Sequence, residues 1–246
     1  MRTRIEVTPG ADRPQVDLCG DVLAPRILSA TPTGAQVALV GTQMVLLAGD
    51  SIGIDIVVAP GGRLEIVEPV GTVAYGGTGR SRWEVSIEVG AGATLIWEGQ
   101  PFVVSDGATV LRTTDIRLGD GARLLQREVL AFGRSGQHGG DLVSCLHARS
   151  ADGLPLLIED LDLARGKRER LGVLGDDRVL DSIIALGWRP EGDIPAGPAA
   201  FELAEPGVLL RQLGREHAHQ PMDACWQAWR GQDALSGRSP GPATAS

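Results

Sequence analysis

Three glutamates, Glu68, Glu98 and Glu128, fall at nearly equivalent places behind three similar stretches of sequence. Carboxylates stacked in a row repel one another unless cations, water or arginines intervene. Along the inside of a body they would line a polar, hydrated path suited to a divalent ion. On its outside they would be ordinary strand-end surface. No other group of residues offers stronger chemistry. Cys145 and His147 stand two apart and share a strand face, the nearest approach to a nucleophile with a base. His217 and His219 supply two metal ligands where a metal site needs three or four. The chain has no GxSxG, Walker A, HExxH or EF-hand pattern. These absences argue for a protein that is not an enzyme and holds no tightly bound metal.

Composition narrows the class further. The chain has 246 residues and a net charge of −8, with Lys167 as the single lysine. An acidic chain without a basic stripe argues against nucleic acid as a partner. Cys19, Cys145 and Cys225 lie far apart without a CxxC, which predicts free, mostly buried thiols in a reducing cytosol. The N-terminus has no apolar signal core, and no apolar run reaches membrane-spanning length. The expected location is cytoplasmic.

The glutamates are placed by a repeat. Ile54–Pro69, Val85–Pro101 and Thr114–Leu130 align in four columns: Ile56/Ile87/Ile116, Val58/Val89/Leu118, Gly61/Gly92/Gly121 and Leu64/Leu95/Leu124. The offsets are 31 and then 29 residues in every column, the mark of stacked supersecondary units. Apolar residues at every second position put one face of each strand inward. The glycine supplies the turn, so each unit reads as a β-hairpin that must share its core with neighbours. The fold expected is mainly β: stacked hairpins in a β-helical, solenoid-like body, with a few short helices toward the C-terminus. One domain is expected over residues 1–234 and a disordered Ser/Gly/Pro/Ala-rich tail over 235–246. Pro25 predicts an edge strand or an extended segment at Asp21–Ser29. Asp176–Trp188 fits either strand or helix, and Met222, Cys225, Trp226 and Trp229 predict an amphipathic helix.

Several stretches, in order, resemble one family. They are AGDSIGIDIVVAPGGRLEI, TVAYGG, ATLIWEGQPFVVSDGATV, GARLLQREVLAFGR and RQLGREHAHQPMDACWQAWR. Together they are similar to the urease accessory proteins UreD (also UreH) over most of residues 40–230. Trp97-Glu98-Gly99-Gln100 departs from the Trp-Leu-Pro-Gln often found in that family. The resemblance implies a non-enzymatic nickel-insertion chaperone that binds apo-urease, UreF and UreG. It implies no permanent cofactor, with nickel(II) passing transiently along an internal polar channel. Carried over onto this chain, the path residues are Asp50, Thr72, Glu98, Gln100 and Glu128. Trp226 and Trp229 are the expected anchors of a partner interface. The other classes open at this point are a structural or adaptor β-protein without metal traffic and a small-molecule enzyme on a solenoid or cupin-like fold.

Overall fold

In the computed structural model, residues 2–43, 46–215 and 220–236 are described. The order of strands is as follows. β1 (Arg2–Thr8) pairs with β2 (Gln15–Cys19), and β3 (Leu23–Thr31) with β4 (Gly34–Gly41). Then come β5 (Ser51–Val58), β6 (Arg63–Val67) and β7 (Thr72–Ala74), followed by β8 (Ser81–Val89), β9 (Thr94–Glu98) and β10 (Phe102–Val104). The third repeat is β11 (Thr109–Leu118) and β12 (Arg123–Phe132). After β13 (Asp141–Ser150) and β14 (Pro155–Asp162) follow α1 (Arg165–Arg168), β15 (Val179–Leu186), β16 (Ala199–Glu202), β17 (Gly207–Gly214) and α2 (Gln220–Ser236).

The repeat is a solenoid of two facing sheets. β1, β5, β8, β11 and β13 run parallel in the first sheet; β4, β6, β9 and β12 run parallel in the second. The three aligned columns that lie in strands are in register. Ile5, Ile56, Ile87 and Ile116 face one another across successive strands, and so do Leu64, Leu95 and Leu124. These side chains are essentially inaccessible and form the core between the sheets. A ladder like this buries what no single unit could bury alone.

One expectation is corrected. The two strands of each unit do not pair as a hairpin. β5 pairs with β1 and β8, and β6 with β4 and β9, so the chain crosses from one sheet to the other at each glycine. Period two identifies the inward face but not the neighbour that supplies the hydrogen bonds. Gly61, Gly92 and Gly121 carry φ of 68°, 62° and 64°, and an added Cβ would meet nothing within 4 Å. Glycine is therefore required there by backbone conformation and not by crowding. The Asp106-Gly107 turn likewise joins strands of different sheets, whereas β13 and β14 are a true hairpin about Asp152-Gly153.

β3 lies at a sheet edge, as Pro25 implies. Asp176–Trp188 resolves as strand β15, every residue of it buried. Of the three thiols Cys225 is buried, Cys145 half-buried and Cys19 exposed, so burial is less general than composition implied. His217 and His219, and residues 237–246 of the expected tail, lie outside the described residues; Leu235 and Ser236 end α2.

Candidate functional site

The inward faces of the strands are apolar along most of the solenoid and turn polar at one level. On β11 the inward alternation Leu118, Ile116 continues backwards to Thr114, Arg112 and Val110, all buried. On β12 the inward positions after Leu124 are Gln126 and Glu128. From just past the C-terminal end of β6 comes Glu68, and from the second repeat come Trp97 and Gln100. Of these, Thr114, Arg112, Gln126, Glu128, Glu68, Trp97 and Gln100 line a chamber of about 30 Å³, with room for about two water molecules. A larger cavity of about 190 Å³, lined among others by Gln43, Val70 and Tyr75, abuts it. Glu68, Thr72 and Trp83 line both and stand between them.

The contacts within the chamber are specific. The Glu68 carboxylate accepts from Trp97 Nε1 at 2.9 Å and from the Gln100 backbone N–H at 3.2 Å. Burial pushes the Glu68 carboxyl up to about 7, opposed by those two hydrogen bonds and by Arg112, and reinforced by Glu128. Glu68 is only half-buried as a whole residue, so the effect belongs to its carboxylate end, packed beneath Trp97 and Gln100. Glu128 pairs with Arg112 Nη2 at 2.7 Å. The Arg112 guanidinium lies 4.6 Å from the centre of the Phe102 ring, a cation–π contact. Its Nε and Nη1, both buried, have no acceptor among the protein atoms.

Of the expected path residues, the fold brings Thr72, Gln100 and Glu128 together. It does not bring Glu98 or Asp50 to them. Glu98 pairs across β9 with Val67 on one side and Arg127 on the other. It faces α2, with Arg230 Nη1 4.0 Å away. The structural offsets are 31 and 29 residues, so the inward column through Glu128 runs Glu68, Gly99, Glu128. Spacing the glutamates at 30 and 30 slips the middle one by a residue, and one residue reverses the face of a strand. Gly99 leaves the middle of the column open, with the backbone so close that a Cβ would stand 2.7 Å from the Arg127 carbonyl. Asp50 closes its own turn, accepting from the Leu47 backbone N–H at 2.8 Å.

Trp226 and Trp229 are fully or almost fully buried beneath α2. They form a second apolar cluster with Ile96, Leu125, Ile183 and Leu210 on the outer face of the second sheet. In this fold they hold the helix to its own sheet and present no anchor to a partner. Charge also fixes α2. Arg127 is gripped by the wholly buried Asp181 at 2.8 Å and by Asp223 of the helix at 2.7 Å. Burial opposes the Arg127 charge, yet hydrogen bonds and attraction from both aspartates hold its pKa above the ordinary arginine value.

Arg112 and Gln126 are the site residues that sequence reading missed. The signal was present: period two, run upstream from Ile116, lands on Arg112, and downstream from Leu124 it lands on Gln126. Chemically the chamber offers two carboxylates, two hydroxyls and amides around a fixed guanidinium. Among the described residues no three His, Cys, Asp or Glu side chains are arranged to hold a metal ion. Cys145 and His147, on the outer face of the first sheet, meet Asp160 across the β13–β14 hairpin, His147 Nε2 at 2.9 Å. Burial pushes the Cys145 thiol up to about 11, with Asp160 adding to the effect, so it is not an activated nucleophile.

Comparison with known proteins places this architecture. The sequence profile described as UreD urease accessory protein matches residues 22–244. The urease accessory protein UreD 1 of Streptomyces griseus subsp. griseus is 45% identical, over 86% of this chain and 83% of the relative. UreD of a Parafrankia species is 39% identical over 77% and 73%, and UreD 2 of Saccharopolyspora erythraea 33% over 73% and 68%. No helix among the described residues is long and apolar enough to cross a membrane. A family profile covering nine-tenths of the chain, together with these relatives, shows that the chain belongs to the UreD family of urease accessory proteins.

Proposed function

We propose that the chain is a cytoplasmic, non-catalytic chaperone of urease assembly that passes nickel(II) through its interior while bound to apo-urease, UreF and UreG. Nickel is its cargo, and no resident cofactor is needed. The route enters at the wider cavity, passes Glu68, Thr72 and Trp83, and reaches the chamber of Gln100, Gln126 and Glu128. The observation that carries this reading is the pair of adjoining cavities that share Glu68, Thr72 and Trp83 in their walls, inside a largely apolar solenoid. Carboxylate and amide oxygens are weak ligands for Ni²⁺ beside imidazole or thiolate, so they can hold an ion briefly and release it. With Glu68 near 7, an ion arriving at neutral pH exchanges with a proton there.

The test is a reconstituted activation assay with urease, UreF, UreG and limiting nickel. Glu68→Gln combined with Glu128→Gln should leave the partner complex intact by gel filtration. Urease activation should fall roughly tenfold, which corresponds to about 1.4 kcal/mol of lost ion stabilisation. Glu98→Gln, on the outer face, should behave as wild type. Normal activation by the double variant within an intact complex would remove the interior route.

A further inference from the structure

The chamber contains a residue that a route for cations would not be expected to keep. Arg112 is 8% exposed and projects from β11 among the very groups that would meet the ion. Its guanidinium is fixed from two sides, by Glu128 at 2.7 Å and by the face of Phe102. Two of its donors are turned to no protein acceptor, although buried donors are nearly always satisfied. The other guanidinium side chain bordering the chamber, that of Arg127, is engaged by Asp181 and Asp223. Arg112 therefore acts alone against Glu68 and Glu128. With both carboxylates ionised the chamber holds one net negative charge instead of two. In a site of reduced dielectric, a fixed charge within a few ångströms of an ion changes its affinity strongly.

We infer that Arg112 sets the affinity of the chamber: it is the internal counter-ion that keeps a divalent cation weakly held, so that the ion moves on. This rests on the proposed nickel route. Arg112 takes the place of a cation beside Glu128, and an arriving ion must share that carboxylate with it. Without the guanidinium the same oxygens become a trap. The unmet donors Nε and Nη1 suit the oxygens of free water in the chamber, whereas water bound to an ion turns its hydrogens to the carboxylates.

The experiment is nickel titration of the purified full chain by calorimetry at about pH 8.5, where Glu68, near 7, is ionised. Affinity should follow the net charge of the chamber. Arg112→Gln should bind nickel at least about tenfold more tightly than wild type. Arg112→Lys, which keeps the charge, should stay within about threefold of wild type. Glu128→Gln should bind most weakly, and Arg112→Gln with Glu128→Gln should return close to wild type. A purely structural role for Arg112 predicts no tightening in any background. Should Arg112→Gln alone fail to fold, the comparison of Glu128→Gln with the double variant decides the question. Failure of the arginine deletion to tighten binding there overturns the inference. If neither Glu68→Gln nor Glu128→Gln weakens binding by the wild-type chain, the chamber takes no nickel, and the route itself is overturned instead. If they weaken it while removal of Arg112 has no effect, the route stands and the counter-ion role falls.

Discussion

Trp226→Ala is expected to destabilise the protein by about 3–5 kcal/mol, the range for truncating a large buried aromatic. The indole is wholly buried in the cluster that joins α2 to the outer face of the second sheet. Almost nothing else offers that helix an apolar seat, since its inward positions are Met222, Cys225, Trp226 and Trp229. Removing the largest of them leaves a cavity the helix cannot close without disturbing its ion pairs, Asp223 with Arg127 and Arg230 with Glu65. The indole N–H finds no protein acceptor, so Trp226→Phe should retain most of the stability lost in the alanine variant. Urea unfolding followed by far-ultraviolet circular dichroism measures both. A loss below about 1 kcal/mol for Trp226→Ala would mean that α2 is not docked as described.

Arg127→Ala should cost about 3–5 kcal/mol, as breaking a buried ion pair from one side does. Asp181 is entirely inaccessible, and the substitution would leave its carboxylate in the sheet without the guanidinium that compensates it. The other partner, Asp223, is mostly exposed, and Asp223→Ala should cost less than about 1 kcal/mol. Arg127→Met with Asp181→Leu should recover much of the loss, because an apolar pair of similar volume needs no desolvation of charge. The same urea titration reads all three variants. Equal losses for the Arg127 and Asp223 substitutions would show that the pair with Asp181 contributes little.

The solenoid was legible because its signal is redundant: alternation and glycine turns repeat three times with constant offsets. The crossing of each unit between sheets was not, since alternation is the same for a hairpin strand and a strand in a parallel stack. β15 was ambiguous for a related reason: buried on both faces, it shows no periodicity that separates strand from helix. The candidate site was legible in kind and misplaced in detail. Thr72, Gln100 and Glu128 meet in the chamber, while Glu98 stands one residue out of the column and so on the opposite face. Gly99, whose lack of a side chain keeps the column open, carries no chemistry that a search for reactive residues would find. Arg112 was hidden because a charged residue in an alternating strand is assigned to the solvent face by habit, although the period itself assigns it inward. Trp226 and Trp229 show that helical spacing locates an apolar face but not what covers it.

The most direct measurement is anomalous diffraction at the nickel edge from crystals soaked in millimolar nickel. Passage through the interior requires an anomalous peak in the chamber or the adjoining cavity, within coordination distance of a Glu68 or Glu128 carboxylate oxygen. That peak should vanish in the Glu68→Gln, Glu128→Gln variant. Peaks confined to the outer surface, with the chamber empty of nickel in wild-type crystals at the same soak, would contradict an interior route.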